Sequence, residues 1–272
     1  MQLVSARARQ HGVTLVELLV GMVVGLIVVG GAIAMYTSSV RSSNDTLKSS
    51  KLNQEISTLL HVIANDVRRA GFWGNMDMSA IDQNPFNQQG ATALVVLDDM
   101  ASNVIQPPNG QGSCIVYAYD ATYLPGNVGG VIENTDLFGF RLNGSVVQMR
   151  QTGVVDGANC VGGTCDNCTN GTWEDVTDPN LIEITELTFD LANSQCLNGT
   201  EPNALDDDAD GVIDEDDEFN CYVTVPPNGS DAVTAETREL LVTVTGRLAG
   251  DTSTQVSGSQ SVRIRNDLLR VR

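Results

Sequence analysis

The chain has 272 residues, with 34 acidic against 15 basic side chains and a formal net charge of −19. That surplus opposes direct contact with a phosphate backbone and excludes nucleic acid as a partner. The two histidines, His11 and His61, both precede the larger part of the chain, and no glycine-rich phosphate loop follows a strand, so the chain reads as non-catalytic.

Residues 1–12 carry Arg7 and Arg9 and no acid. From Val13 to Met35 the chain is apolar except for Glu17, over about 23 residues, enough at ~1.5 Å per residue to span a hydrocarbon core of about 30 Å. The basic flank keeps residues 1–12 cytoplasmic and sends everything beyond Tyr36 across the membrane. A carboxylate at membrane depth costs roughly 2.5–3.5 kcal/mol, so Glu17 calls for a positive partner. A cleaved secretory signal fits poorly, because its apolar core is about 7–15 residues and precedes the cleavage site.

The helix is expected to continue over 36–71. Leu52, Ile56, Leu59, Leu60, Ile63, Val67 and Ala70 recur at three- and four-residue steps, while Lys48, Lys51, Glu55, Asn65, Asp66, Arg68 and Arg69 lie mostly off that face. Gly71 supplies a C-cap, giving one rod of about 87 Å from Val13 to Ala70.

Residues 72–272 read as one acidic, β-rich head. Strands are expected at Thr92–Leu97, Cys114–Tyr119, Leu137–Leu142, Ser145–Met149, Leu181–Leu191, Tyr222–Val225, Glu239–Arg247 and Ser261–Ile264. Asn143-Gly144 marks a two-residue hairpin, whereas Gly126–Gly130, Gly153–Gly171 and Gly246–Gly258 read as surface loops, the last a mobile hairpin tip.

All six cysteines, Cys114, Cys160, Cys165, Cys168, Cys196 and Cys221, fall in the head. An even number in an exported domain favours up to three disulfides, with Cys196–Cys221 the preferred pair and Cys160, Cys165 and Cys168 too clustered to assign. The rival is a thiolate zinc site built on Cys160, Cys165 and Cys168 plus one more cysteine.

Between Cys196 and Cys221 runs Asp206-Asp207-Asp208-Ala209-Asp210-Gly211-Val212-Ile213-Asp214-Glu215-Asp216-Asp217. Counted from Asp206, oxygen ligands fall at the first, third, fifth, ninth and twelfth places, with glycine sixth, which is the spacing of an EF-hand-type Ca2+ loop. The loop resembles those of extracellular calcium modules. The resemblance implies side-chain ligation by Asp206, Asp208, Asp210 and Asp217, the Val212 carbonyl, and Asp214 directly or through water, with Glu218 an alternative to Asp217. The competing reading is a solvated acidic loop.

Gly12-Val13-Thr14-Leu15-Val16-Glu17-Leu18 resembles the class III signal of type IV prepilins and pseudopilins. The resemblance implies that a prepilin peptidase cuts after Gly12 and methylates Val13, which stands where the family usually has phenylalanine. Cleavage removes Arg7 and Arg9, taking the formal charge from −19 to −21. The resemblance further implies that Glu17 pairs with the freed α-amine of a neighbouring subunit.

Asn65-Asp66-Val67-Arg68-Arg69-Ala70-Gly71-Phe72-Trp73-Gly74 is similar to the helix end of PilW-type minor pilins, and Ser261-Val262-Arg263-Ile264-Arg265-Asn266 to their terminal strand. The implied fold is α+β and pilin-like, with a long N-terminal helix on a β-rich head. The implied role is a minor pilin in pilus assembly and initiation. Implied partners are other minor pilins, the major pilin, the prepilin peptidase and an inner-membrane assembly platform. The implied location is a single pass of the inner membrane before assembly and the extracellular pilus after it. Two other roles stay open: a filament-displayed adhesin or surface-sensing head, and a minor pseudopilin of type II secretion.

Overall fold

The computed structural model describes residues 12–74, 84–87, 94–106, 110–122, 132–155, 167–196, 233–252 and 254–271. Helix α1 runs without a break over Leu15–Val67. The chain divides into two compact units, Met1–Ser50 and Lys51–Arg272.

In the first unit every described side chain from Gly12 to Leu47 is exposed. Val13, Leu15, Ile27 and Met35 are each more than two-thirds accessible, in a helix long and apolar enough to cross a membrane. A contiguous apolar surface of this size is not stable in water and requires lipid or protein around it.

The second unit packs the rest of α1 on β-sheets, an α+β, pilin-like architecture. A five-stranded antiparallel sheet has the order β1 (Val95–Leu97), β3 (Cys114–Ala118), β4 (Leu137–Asn143), β5 (Val146–Thr152), β6 (Thr172–Asp175). A four-stranded sheet runs β11 (Gln255–Arg263), β10 (Glu239–Leu248), β7 (Ile182–Asp190), β2 (Gln111–Gly112). A third sheet holds β12 (Leu268–Val271), β9 (Val233–Thr237) and β8 (Gln195–Cys196).

The apolar face read from the helical spacing is the buried one. Leu52, Ile56, Leu59, Leu60, Ile63, Val67 and Ala70 join Val96, Ile115, Phe140, Leu187, Leu240, Val242 and Ile264 in one cluster. Each large aliphatic side chain buried in this way contributes about 1.5–3 kcal/mol. In β7 the inward residues are Ile182, Ile184, Leu187 and Phe189, so the two-residue alternation skips a step. A register shift against β10 explains it: Thr245 faces Glu186 while Gly246 faces Ile184, leaving Thr185 as the extra residue of a bulge.

Several expectations are corrected. The Gly246–Gly258 hairpin has a shorter tip than expected: β10 extends to Leu248 and β11 begins at Gln255, with Gly246 opposite Val256 and Val244 opposite Gly258. The Ser, Gly and Gln residues have little intrinsic strand preference, but pairing with β10 and contact with α1 override it. A Cβ at Gly258 would come within 3.0 Å of Ile56 and 3.2 Å of Leu60, so the glycine is what lets strand and helix meet. The predicted hairpin forms, but its loop is Gly144-Ser145, one residue further on, because Asn143 pairs with Val146. β2, β6, β8, β9 and β12 were not foreseen; β2 and β8 are two residues each, too short for a periodic signal. Tyr222–Val225 and Gly126–Gly130 lie outside the described residues.

Candidate functional site

Two places on α1 carry the chemistry. At its start, Gly12, Val13 and Thr14 precede the helix and Glu17 lies in its first turn. The Glu17 amide donates to Thr14 Oγ1 (3.3 Å), while the Thr14 amide and hydroxyl both donate to Glu17 Oε2 (3.1 Å each). This is a capping box, Thr-x-x-Glu, in which two side chains satisfy the backbone donors a helix start leaves open. It explains why α1 begins at Leu15, two residues past the predicted processing point between Gly12 and Val13. The two Thr14 bonds fall on one carboxylate oxygen; among the described residues Oε1 has no hydrogen-bond partner.

At the other end Asp66, which the spacing places with the solvent-facing residues, is only 7% exposed. The correction has a physical reason. Tyr117 from β3 donates its hydroxyl to Asp66 Oδ2, and Tyr119 donates to Oδ1 at 3.0 Å. Arg69, one turn on, donates to Asp66 Oδ1 and to the Tyr119 oxygen, with its guanidinium carbon 4.2 Å from the Tyr119 ring centroid. The carboxylate is therefore buried with three donors around it, which offsets its desolvation. Burial first, and then the Asp66 charge, push both phenols up from their ordinary value near 10, so both stay protonated donors at neutral pH. Phe138 stacks on Tyr119 with ring centroids 4.0 Å apart, holding the phenol in place.

Past Val67 the helix tightens into three-residue bonds, Arg69 to Asp66 and Ala70 to Val67, and Gly71 turns out of it with φ +75°. The Gly71 amide then donates to the Ala118 carbonyl (2.8 Å) and Asp120 to the Phe72 carbonyl (2.9 Å), so the exiting chain pairs with the end of β3. From the C-terminal side, Arg265 donates its amide to the Arg68 carbonyl (3.2 Å) and Asn266 its side-chain amide to the Ala70 carbonyl (3.0 Å). Spacing alone missed this clamp; the signal lay in an acid at the edge of an apolar face followed by Arg-Arg-Ala-Gly.

Cys114 of β3 is bonded to Cys168, with Cα atoms 6.4 Å apart. This removes Cys168 from the zinc alternative, since a disulfide sulfur is not a thiolate ligand. Cys196 lies in β8, whereas Cys160, Cys165 and Cys221 lie outside the described residues, as does the whole of 206–217 with Asp206, Asp208, Asp210, Val212, Asp214 and Asp217. Among the described residues no cluster of three or more metal-ligating side chains occurs.

An uncharged, exposed apolar helix broken only by a glutamate in its first turn, continuing into a helix end clamped to a β-rich head, defines a type IV pilin-like protein. The prokaryotic N-terminal methylation motif matches residues 7–33, and the family model for prepilin peptidase-dependent protein B matches residues 45–264. The chain belongs to the prepilin peptidase-dependent protein B family. Such chains are structural subunits rather than enzymes, and the motif marks this one as a substrate of the prepilin peptidase, anchored in a membrane by its apolar helix before assembly. No curated protein and no solved structure matches the chain.

Proposed function

We propose that this chain is a minor pilin of the PilW type that takes part in assembling and initiating a type IV pilus. The observation that carries the reading is the state of Glu17: the single acid of the exposed apolar stretch Val13–Met35, held at the helix start by Thr14 through one oxygen, with Oε1 left to meet a cation. After cleavage at Gly12–Val13, the α-amine of a neighbouring subunit is a cation of the right kind, and pairing in a low-dielectric helix bundle sets the axial register of the incoming chain. The head is then displayed outside the membrane, where it meets other minor pilins and the major pilin.

Deletion of the gene tests this. The expected result is loss of surface filaments, with the protein found in sheared pili when the gene is restored. Filaments that persist while attachment fails would assign the head to adhesion. Intact pili with lost exoprotein secretion would assign it to a type II secretion system.

Calcium belongs to the same proposal as a structural ion, held by Asp206, Asp208, Asp210, Asp217, the Val212 carbonyl and Asp214. Ten acids lie between Glu201 and Glu218, and a divalent cation relieves their mutual repulsion. Calcium at a hundred times its Kd is expected to raise stability by about 2.7 kcal/mol, read as a higher Tm. The pair Asp206→Ala and Asp210→Ala should abolish that gain; an equal rise in both proteins sinks the site.

A further inference from the structure

Helix α1 is held in two different ways along its length. From Leu52 onward its apolar face is buried in the main cluster of the second unit. Over 13–35 it is apolar, and lipid enforces its backbone bonds because hydrocarbon offers no substitute for a lost N–H or C=O partner. That holds even where Gly21, Gly25, Gly30 and Gly31 lower the helix preference. Neither support reaches residues 36–47, and both are weak as far as Ser50.

Every side chain from Tyr36 to Leu47 is exposed, so packing contributes nothing there. Intrinsic preference is poor as well. Twelve of the fifteen residues in 36–50 are Ser, Thr, Asn, Asp, Val or Tyr, and only Arg41, Leu47 and Lys48 are good helix formers. Ser, Asn and Asp side chains offer the backbone partners outside the helix. Two threonines already take a share of helix carbonyls: Thr37 Oγ1 donates to Ala34 (3.0 Å) and Thr46 Oγ1 to Ser42 (2.9 Å). Thr58 makes the same bond to Gln54 (2.8 Å), but the buried Leu59 and Leu60 hold that turn in the core. Arg41 and Asp45 stand four apart in the less favourable order, and among the described residues they form no ion pair. A helical stretch of this length without tertiary contact is marginal in water even when its composition is favourable.

We infer that residues 36–50 are a weak link that unwinds in water while the helix on either side stays formed, giving the anchored chain an extensible tether. Unwinding all of it takes the rise from about 1.5 to about 3.3 Å per residue and lengthens the chain by about 27 Å. Helix persists at both borders, so rewinding needs no new nucleus. Tension along the chain acts here first, because opening the second unit must break its buried cluster. The inference needs only the membrane anchor and the composition of α1, and stands apart from the reading of the chain as a minor pilin.

Hydrogen exchange of the full chain in detergent micelles, read by mass spectrometry, tests it. Relative to their unstructured rates, amides of 36–47 are expected to exchange at least about a hundredfold faster than those of 52–67. Equal protection in the two stretches overturns the inference. The variant carrying Ser38→Ala, Ser39→Ala, Ser42→Ala and Ser43→Ala changes only exposed side chains. It should slow exchange across 36–47 roughly twentyfold, and an unchanged rate overturns the inference, because the opening would then not arise from low helix preference. A force ramp applied between the two ends of the chain reads the tether directly. A reversible lengthening of about 27 Å should precede unfolding of the second unit and should need a higher force in the four-alanine variant. Unfolding of the second unit with no earlier lengthening overturns the tether.

Discussion

Replacing Glu17 with glutamine is expected to abolish filaments while leaving the leader removed. The substitution is informative because glutamine serves the third helical position of a capping box as well as glutamate does, so the bonds with Thr14 survive and α1 still begins at Leu15. What disappears is the charge. Removing one partner of a desolvated charge pair costs about 2–5 kcal/mol, a drop of roughly thirtyfold or more in the equilibrium for adding a subunit. The measurement is a filament count beside N-terminal sequencing of the variant, which should begin at Val13. Thr14→Ala is the complementary variant. It removes the cap at a cost of about 1 kcal/mol to the helix start but keeps the carboxylate, and filaments should persist. If Glu17→Gln assembles normally, Glu17 is only a helix cap and the proposed axial pairing is wrong.

Asp66→Ala is expected to be the most damaging single change in the second unit. It takes the acceptor from the Tyr117 and Tyr119 hydroxyls at once, and Tyr117 is 1% exposed, so its donor has no route to water. A buried hydroxyl left unsatisfied costs about 1–3 kcal/mol, and with two affected the loss is about 3 kcal/mol. For a folded unit of this size that corresponds to a Tm lower by roughly 6–12 °C. Near-UV circular dichroism of the full chain in micelles reads it through the stacked tyrosines. Adding Tyr117→Phe to Asp66→Ala should recover part of the loss, because the orphaned donor is then gone, and simple additivity of the two changes would contradict the bonding scheme. The expected consequence is a head that no longer holds the helix exit at Gly71, where the amide meets Ala118.

These two acids show how unevenly function was written along the chain. Glu17 stood out because its surroundings are uniform: one charge among apolar side chains needs no tertiary knowledge to be noticed. Asp66 did not, because helical spacing assigns a polar residue to water by default, and only the arrival of Tyr117 from β3 and Tyr119 just beyond its end, about fifty positions later, turns it inward. The helix end at 65–74 and the C-terminal stretch 261–266 come together in space: Arg265 and Asn266 bond the carbonyls of Arg68 and Ala70. Their residue types suit a joint between helix, β3 and the C-terminal segment, which neither stretch reveals alone.

Periodicity and local chemistry by themselves determined the apolar helix, its amphipathic continuation with the buried face from Leu52 to Ala70, and most of the longer strands. Those features depend on neighbours three or four residues apart along a helix, or two along a strand, which a linear chain displays openly. Tertiary structure alone decided how far strand pairing reaches into Gly246–Gly258, that β7 carries a bulge at Thr185, that Cys114 joins Cys168, and that Asp66 is enclosed. Each of these is set by a partner far away in sequence, and the free energy that selects it comes from packing and pairing at that partner rather than from any preference of the residues themselves.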